Sequence, residues 1–266
     1  MPTLSIANDV FSYADIGRGQ PILFVHGFPL DRTLWDDQLA GLADLGRLIA
    51  PDLRGFGASR SARTAGLSIE QFADDLAHLL DALRISEPVV FCGLSMGGYI
   101  AFEFLRTYSA RLRGLVLCDT RAAADTPEVK AARTTMASRV IEQGPEFVIE
   151  AMQQRMFSPR TPAVAPAVVE RWKAMVRRCP PETIAAASLA MGERRDATSL
   201  LPTIACPTLL IVGADDISSP PEEMMAMAAA VPNSRFAVIP KAGHLSPMEN
   251  PAEFNAVLGD WLKGLG

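Results

Sequence analysis

The sequence of 266 residues contains little histidine and little cysteine, and it lacks any long apolar run free of charge. No stretch approaches the roughly 20 apolar residues that a membrane-spanning helix needs. The first residues also lack the basic segment followed by an apolar segment that marks a secretory signal. We therefore predict a soluble, cytoplasmic protein with no membrane partner.

The four cysteines show neither a Cys-x-x-Cys pair nor the ligand spacing of a zinc site. Cys92 and Cys118 lie within apolar runs that are typical of strands, and the other two are Cys179 and Cys206. All four are interpreted as small buried thiols. The sequence accordingly predicts no metal site and no cofactor.

Charge of one sign is not concentrated along the chain. The formal net charge is −5 at pH 7, and no basic stripe of the kind that binds nucleic acid is present. An apolar fraction of 49% supplies a core, and the length fits one large domain or one domain with an insertion. Nucleic acid is therefore not expected as a partner, and the sequence leaves open whether the chain forms a homo-oligomer.

Short apolar segments with a strand-like composition recur along most of the chain. Residues 4–6 and 10–13, separated by Asn8 and Asp9, predict an antiparallel hairpin at one edge of a sheet. Residues 21–25 form a continuous apolar run, which is typical of a strand buried on both faces of a parallel sheet. Further strands are predicted at residues 47–52, 89–92, 112–119, 208–213 and 235–240.

Helical patterns separate most of these strands. Asp31 can cap a helix that continues to about Leu45, and Ser68 can cap a second helix whose apolar residues form one stripe. Strands that alternate with helices indicate an α/β fold with a mostly parallel sheet of about eight strands, covered by helices on both faces.

One segment departs from this alternation. Residues 120–196 contain no convincing strand but several helical stretches separated by prolines, and Thr126-Pro127 is a good helix start. We predict a cap of four short helices over residues 121–195, inserted after the sixth strand into a core of residues 1–120 and 196–266. The large apolar side chains that could line a pocket beneath this cap are Met136, Met152, Met156, Phe157, Trp172, Met175 and Met191. Packing between cap helices is the more frequent role for any one of them.

The most informative stretch of the sequence is Gly93-Leu94-Ser95-Met96-Gly97. It lies between a strand-like run and a helix-like segment, which is the setting of the Gly-x-Ser-x-Gly nucleophile elbow. Ser95 is expected to adopt a strained backbone conformation at the apex, and Gly93 and Gly97 leave room for the strand and the helix to approach each other. Ser95 is the candidate nucleophile; a glycine-rich turn with a capping serine is the alternative.

A serine nucleophile needs a base, and the base needs an acid to orient it. Of the three histidines, His78 lies in the middle of a helix and is interpreted as structural, whereas His26 follows a strand and is interpreted as shaping a loop. His244 lies in a loop after the last strand, where the carboxyl ends of parallel strands gather. His244 is therefore the predicted base.

Three carboxylates compete for the role of the acid. Asp215 and Asp216 are adjacent after the strand at 208–213, so they cannot both face one histidine, and Asp119 ends the strand that follows the elbow helix. An acid at 215 or 216 places nucleophile, acid and base in the chain order of the α/β-hydrolase fold, which differs from that of chymotrypsin and subtilisin.

Ser95, Asp216 and His244 with their neighbours resemble the α/β-hydrolase superfamily over essentially the whole chain. The segments that carry the resemblance are His26-Gly27-Phe28-Pro29 (similar to its oxyanion loop), residues 52–59 (similar to its Asp-x-Arg-Gly-x-Gly-x-Ser loop) and Gly243-His244 (similar to its histidine turn). In the Gly-x-x-Asp-x-x-x-Pro segment of that family the acid corresponds to Asp216, so the resemblance favours Asp216 over Asp215. Some members take the acid from the position of Asp119.

An oxyanion hole is expected from two backbone N–H groups, that of Met96 after the nucleophile and that of Phe28 in the His-Gly turn. Pro29 has no N–H to donate. Asp52 and Arg54 are interpreted as bracing each other or their own loop. The residues predicted to line the substrate pocket are His26, Met152, Phe157, Trp172, Met175 and Leu245.

These features predict a serine hydrolase that cleaves a small carboxylic ester or lactone through an acyl-enzyme. The resemblance is to the branch that contains 3-oxoadipate enol-lactonases and small carboxylesterases, with non-haem haloperoxidase and perhydrolase members close by. Carbon–carbon bond hydrolases and a receptor that binds without turnover are weaker alternatives. Epoxide hydrolases and haloalkane dehalogenases are disfavoured because their nucleophile is aspartate.

Overall fold

The computed structural model, which describes residues 2–6, 9–59 and 66–265, contains one sheet of eight strands in the order β1-β2-β4-β3-β5-β6-β7-β8. The strands are β1 (Thr3–Ile6), β2 (Asp9–Gly17), β3 (Pro21–Val25), β4 (Arg47–Pro51), β5 (Val89–Leu94), β6 (Leu112–Cys118), β7 (Thr208–Gly213) and β8 (Ser234–Ile239). Strands β3 to β8 pair in parallel, whereas β2 is antiparallel to both β1 and β4. The predicted mostly parallel sheet of about eight strands is confirmed.

The predicted edge hairpin is present as β1 and β2. Thr3 pairs with Ser12 and Ile6 with Asp9, and Asn8 of the predicted turn lies outside the described residues. Strand β2 continues beyond the predicted end because its second half finds a partner in β4.

Helices cover both faces of the sheet. They are α1 (Asp36–Gly41), α2 (Ile69–Ala82), α3 (Met96–Tyr108), α4 (Pro127–Gln143), α5 (Pro145–Met156), α6 (Thr161–Val164), α7 (Pro166–Arg178), α8 (Pro181–Gly192), α9 (Pro221–Ala230), α10 (Ser246–Glu249) and α11 (Pro251–Lys263). Short 3₁₀ helices lie at Arg32–Trp35, Ala43–Leu45, Ser109–Arg111 and Thr198–Thr203. Every residue of β3, β5 and β7 is buried, as expected for strands between two helical layers.

The prediction of one helix from Asp31 to about Leu45 is wrong. Asp31 does cap a helix, since its side chain accepts from the backbone N–H of Thr33, but the segment is a 3₁₀ turn, the six-residue α1 and a second 3₁₀ turn. The side-chain amide of Asn255 in α11 donates to the carbonyl of Asp37 at 3.0 Å. The same side chain lies against Gly41, the last residue of α1, where a Cβ would be 2.4 Å from its nitrogen. Contact with α11 therefore coincides with the end of a helix that local propensity alone would continue. Ser68 caps α2 as predicted, accepting from the N–H of Gln71.

Helices α4 to α8 lie together between β6 and β7, in the segment predicted to hold a helical cap. Four of them are 12 to 17 residues long and α6 is a single turn, so the segment holds one helix more than the four predicted. Each begins with a proline at one of its first two positions, where the missing N–H costs no hydrogen bond. The prolines thus divide the cap into separate helices.

The described part of the chain has no helix that is both long enough and apolar enough to span a membrane. The carboxyl ends of β3, β5, β7 and β8 all lead into loops at one edge of the sheet, and α4 to α8 are inserted at the same edge after β6. The predicted catalytic residues lie in these loops.

Candidate active site

Ser95 lies at a sharp turn between β5 and α3, with φ of 54° and ψ of −110°. A Cβ on Gly93 would lie 2.3 Å from the carbonyl oxygen of Gly97, and a Cβ on Gly97 would lie 2.3 Å from that of Val25. Both positions therefore require glycine. The N–H of Ser95 donates to Cys118 at 2.9 Å, and this contact with β6 helps to hold the strained conformation.

The turn presents the hydroxyl of Ser95 to His244. Ser95 Oγ lies 2.9 Å from His244 Nε2, and His244 Nδ1 lies 2.9 Å from Asp216 Oδ2. Asp216 follows β7 and His244 follows β8, and the N–H of Asp215 donates to Ala242 at 2.8 Å, which holds these two loops together. Residues that are far apart in the chain thus form one continuous line of hydrogen bonds.

Asp216 is 2% exposed and accepts three further hydrogen bonds besides facing the imidazole. The backbone N–H groups of Ser218 and Ser219 donate to Oδ1, and the Ser219 hydroxyl donates to Oδ2 at 2.7 Å. Burial by itself would raise the pKa of Asp216. The neighbouring His244 and the donors from Ser219 outweigh burial and lower this pKa below its ordinary value.

The two rival carboxylates do not hydrogen bond to the imidazole. Asp215 accepts from the hydroxyl of Ser158, which belongs to the segment between α5 and α6, at 2.5 Å. Asp119 is fully buried, accepts from the N–H of Gly213 at 2.8 Å and contacts the hydroxyl of Ser246. Burial, and next the negative charge of Asp216, raise the pKa of Asp119 well above its ordinary value.

The loop that carries Phe28 crosses directly over the elbow. A Cβ on Gly27 would lie 2.9 Å from the Leu94 side chain and 3.1 Å from the Leu94 carbonyl oxygen. Phe28 lines the same cavity as Ser95 and His244, and Met96 is the first residue of α3. The two predicted oxyanion donors are therefore on elements that meet at the nucleophile.

His26 is buried beneath this loop and does not line the cavity. Its Nδ1–H donates to the Gly27 carbonyl at 2.9 Å, and its Nε2 accepts from the N–H of Leu53 at 3.0 Å. Burial lowers the pKa of His26, in keeping with a neutral ring that accepts at Nε2. Its contacts connect the Phe28 loop to the loop after β4.

Asp52 and Arg54 also hold loops, but within the described residues each pairs with other partners and they form no ion pair with each other. Asp52 accepts from the N–H groups of Arg32 and Ala58, both at 2.8 Å, and pairs with the Arg32 guanidinium. Arg54 pairs with Asp75 and Asp9. The loop after β4 is thus tied to the segment before α1 on one side and to α2 and β2 on the other.

A cavity of about 370 Å³ opens beside Ser95 and His244. Among the six residues predicted to line the pocket, only Met152 lies on its wall in the described structure; Met136, Met156 and Met191 also line it. The other predicted residues are His26, Phe157, Trp172, Met175 and Leu245, all of them buried away from the cavity. Phe157 and Trp172 pack edge to face with ring centroids 5.5 Å apart. They belong to the interior of the cap, because a large apolar side chain gains most from complete burial.

The sequence interpretation missed the polar part of the cavity wall. This part comprises Tyr99, Arg121, Asp125, Glu128, Arg133, Arg155, Ser188, Ser218 and Ser219. A signal was present in α4, where Val129, Ala132, Arg133 and Met136 follow the i, i+3, i+4, i+7 spacing of one helix face and all line the cavity. In the described residues no group of three or more His, Cys, Asp and Glu side chains is arranged to hold a metal ion.

The fold, with a serine elbow and a histidine loop at neighbouring strand ends, defines an α/β hydrolase. The family model described as "Alpha/beta hydrolase family" matches residues 22–257. The chain belongs to this family.

Within the family, the chain is similar to esterases and lactonases over nearly its whole length. A thermophilic esterase from Thermogutta terrifontis is 48% identical with a TM-score of 0.95, and the match covers 99% of this chain and 97% of that one. The enol-lactonase from Burkholderia xenovorans LB400 is 26% identical with a TM-score of 0.90, covering 98% and 100%. The 3-oxoadipate enol-lactonase 2 of Acinetobacter baylyi is 28% identical over 255 residues, which cover 95% of this chain and 93% of that protein.

Proposed function

We propose that the protein is a serine hydrolase that cleaves a small carboxylic ester or lactone through an acyl-enzyme. The observation that carries the proposal is the line of hydrogen bonds from Ser95 Oγ through His244 to Asp216, with 2.9 Å at each step. This is the arrangement that an acyl-transferring serine requires, because the base must reach the hydroxyl and the acid must orient the base. The similarity to a solved esterase and to enol-lactonases supports the choice of substrate class.

The reaction follows from this geometry. His244 Nε2 accepts the proton of Ser95 as Oγ bonds to the substrate carbonyl carbon, and Asp216 stabilises the imidazolium that forms. The N–H groups of Phe28 and Met96 donate to the oxyanion of the tetrahedral intermediate. His244 then returns the proton to the departing alkoxide as the carbon–oxygen bond breaks, and water attacks the acyl-enzyme by the same steps in reverse order.

The substrate in this proposal is a small molecule, and neither nucleic acid nor a membrane takes part. A lactone is an internal ester, so it follows the same steps, with the alkoxide remaining attached to the acyl group. The cytoplasmic location and the oligomeric state stay predictions of the sequence.

The proposal is tested by substitution and by covalent labelling. We expect Ser95→Ala to lower kcat on 4-nitrophenyl acetate and butanoate by about 10⁴-fold or more, because the nucleophile is lost. A fluorophosphonate should label the wild type and Ser109→Ala, an exposed control at the far end of α3, but not Ser95→Ala. Labelling without turnover of any ester or lactone would instead favour a receptor, and equal activity of Ser95→Ala would overturn the assignment of the nucleophile.

A further inference from the structure

The cavity beside Ser95 combines an apolar wall with Arg133, a largely buried cation that shares its carboxylate partner with a second arginine. The apolar part is formed largely by Met136, Met152, Met156 and Met191. Arg133 lies on the same wall, one helical turn before Met136, and its side chain is 20% exposed. A guanidinium among methionines is costly to bury unless its charge is balanced.

The contacts of Arg133 leave part of its guanidinium available. Its Nε donates to Asp125 Oδ2 at 2.5 Å, and Nη1 reaches only the sulfur of Met191, at 3.5 Å. Among the residues that the structure describes, Nη2 donates to no hydrogen-bond acceptor. Thioether sulfur is a weak acceptor. The Nη1 and Nη2 groups of Arg133 therefore lack the strong oxygen acceptors that a guanidinium usually binds.

The carboxylate that Arg133 contacts is shared with a second arginine. Arg194 Nη1 lies 2.7 Å from Asp125 Oδ1, and Arg194 also donates to the carbonyls of Met191 and Ala123. The Arg194 guanidinium is buried over the ring of Tyr99, 4.1 Å from its centroid. Asp125 thus provides one negative charge for the two guanidinium groups of Arg133 and Arg194. The cluster of these three side chains carries a net charge of one positive unit.

In the described part of the chain, no other charged group of the cavity wall forms an ion pair with this cluster. Arg121 is paired with Glu223 and donates to the carbonyl of Ser218. Arg155 is exposed, and Glu128 is an exposed residue in the first turn of α4 that hydrogen bonds to Thr126. The buried excess of positive charge thus faces the cavity at Arg133.

We propose that Arg133 binds a carboxylate of the substrate, so that the preferred ester or lactone is one that carries an acidic group. The inference rests on the proposed hydrolase function. A carboxylate offers two acceptor oxygens that match two N–H groups of a guanidinium, and the methionine wall excludes water that would weaken the pair. The apolar wall accommodates the chain between the carboxylate and the scissile bond.

The test compares acidic and neutral esters of equal length. Mono-4-nitrophenyl esters of four-, five- and six-carbon dicarboxylic acids are set against the 4-nitrophenyl esters of butanoate, pentanoate and hexanoate. A second comparison places the carboxylate on the leaving-group side. It sets the acetate ester of a short hydroxy acid against the acetate ester of the alcohol that has the same chain without the carboxylate. We expect at least one acidic ester to exceed its neutral partner about 10-fold or more in kcat/KM, mainly through a lower KM.

Arg133→Met keeps the apolar stem of the side chain and removes the charge. We expect it to lose about 10- to 100-fold in kcat/KM on the preferred acidic ester, the range of a hydrogen bond to a charged group, and to lose less on the neutral partner, so that the ratio of the two kcat/KM values falls. Arg133→Lys should restore part of the preference. The matched control is Arg139→Met, on the same helix, whose guanidinium lies over Phe147 at 4.2 Å and outside the cavity wall.

Wild-type kinetics test the proposal even if the variants are unstable, because a free dicarboxylate should inhibit hydrolysis of a neutral ester competitively and more strongly than its diamide. The role of Arg133 would be overturned by a wild-type enzyme that prefers the neutral ester both when the carboxylate is on the acyl side and when it is on the leaving-group side. It would also be overturned by an Arg133→Met enzyme whose ratio of acidic to neutral kcat/KM is unchanged. Absence of turnover on every ester and lactone would instead overturn the hydrolase function itself.

Discussion

Asp216 and Asp119 are two buried carboxyl groups whose environments move their pKa values in opposite directions. In Asp216 the effect of burial is outweighed by His244 and the donors from Ser219, and the pKa is lowered. In Asp119 burial dominates, the charge of Asp216 adds to it, and the pKa is raised. The opposite shifts fit different roles for the two groups, with Asp216 as the partner of the imidazole and Asp119 as a buried structural group.

The first residue-scale prediction separates these two roles. Asp216→Asn should lower kcat by about 10³- to 10⁴-fold, since the amide cannot hold the imidazole in the same tautomer or stabilise its cation. Asp119→Asn should keep kcat within about 10-fold, because the amide oxygen can still accept from the N–H of Gly213, and the Ser246 hydroxyl, which donates to Asp119, can rotate to accept from the amide N–H. Steady-state kinetics on one ester, with thermal unfolding as a check on folding, decide between them. A larger loss of kcat in Asp119→Asn than in Asp216→Asn would identify Asp119 as the acid.

The second residue-scale prediction concerns Ser219, which positions the pair of Asp216 and His244. Its hydroxyl oxygen lies 2.7 Å from Asp216 Oδ2 and 3.3 Å from His244 Nδ1, and its donated hydrogen bond helps to lower the pKa of Asp216. Without it the carboxylate is a stronger base and favours the imidazolium. We expect Ser219→Ala to move the acid limb of the kcat/KM profile to higher pH by about half a unit, the size of one hydrogen bond.

Ser218→Ala is the matched control for this measurement. The Ser218 hydroxyl donates to the carbonyl of Arg155, whereas its contact with Asp216 is through the backbone N–H, which alanine retains. Ser219→Thr, which keeps the hydroxyl, should restore the wild-type profile. Equal pH profiles for the two alanine variants would remove Ser219 from the positioning of the triad.

At the scale of elements, the segment between α5 and α6 lies directly on the loop that carries His244. The N–H of Ser158 and the hydroxyl of Thr161 donate to Glu249 Oε2, while the N–H of Gly243 donates to Glu249 Oε1. Burial raises the pKa of Glu249, although these donors act in the opposite direction. The cap and the base are thus connected through one carboxyl group.

This contact leads to a prediction for Gly243. A Cβ at this position would lie 2.5 Å from the backbone of Phe157 and Ser158, and backbone cannot rotate away as a side chain can. Gly243→Ala should therefore displace the cap segment or the histidine loop, lowering kcat at least about 10-fold because small misplacements of a base are costly. Kinetics and thermal unfolding measure both effects.

Gly192→Ala is the control, because a Cβ there meets only the Arg133 side chain at 3.7 Å, an ordinary contact. It should leave kcat and the unfolding temperature nearly unchanged. The steric argument would fail if Gly243→Ala behaved in the same way.

At the scale of the whole molecule, ion pairs join α7 of the cap to α1 of the core and to the segment before it. Arg178 donates to Asp31 Oδ2 at 2.7 Å, and Arg171 donates to Asp37 at 2.8 Å. Burial alone would raise the pKa of Asp31, but the hydrogen bonds from Thr33 and Arg178 outweigh it and lower this pKa. A carboxylate with a lowered pKa in the folded state stabilises the fold above its ordinary pKa, and this contribution is lost as the pH falls through the lowered value.

Asp31→Asn tests this contribution, because asparagine still caps the helix but carries no charge for Arg178. We expect the free energy of unfolding at pH 7 to fall by about 1–2 kcal/mol, and the difference from the wild type to narrow below about pH 4. Urea unfolding from pH 8 to pH 3 measures it. Asp260→Asn, which breaks an exposed pair with Arg235, should stay within about 0.5 kcal/mol at every pH; a constant difference for Asp31→Asn down to pH 3 would exclude the proposed linkage.

The strands and the elbow could be predicted from the sequence because each depends on local chemistry. The buried strands have continuous apolar runs, and Ser95 lies between glycines that only a tight strand–turn–helix needs. Ser95 and His244 were predicted from the same kind of local signal, whereas the choice of Asp216 over Asp215 came from the resemblance to the α/β-hydrolase superfamily. Their separation in space, 2.9 Å at each hydrogen bond, depends on how β5, β7 and β8 align in the sheet.

Tertiary structure alone decided the end of the first helix and the lining of the cavity. Local propensity favours a helix as far as Leu45, but α1 ends at Gly41, which packs against Asn255 of α11, and this contact lies outside any local window. The choice between a buried cap side chain such as Trp172 and a wall residue such as Arg133 depends on which face each helix turns to the core. Composition determines that these residues are apolar or charged, whereas only the packing of α4 to α8 determines which of them meet the substrate.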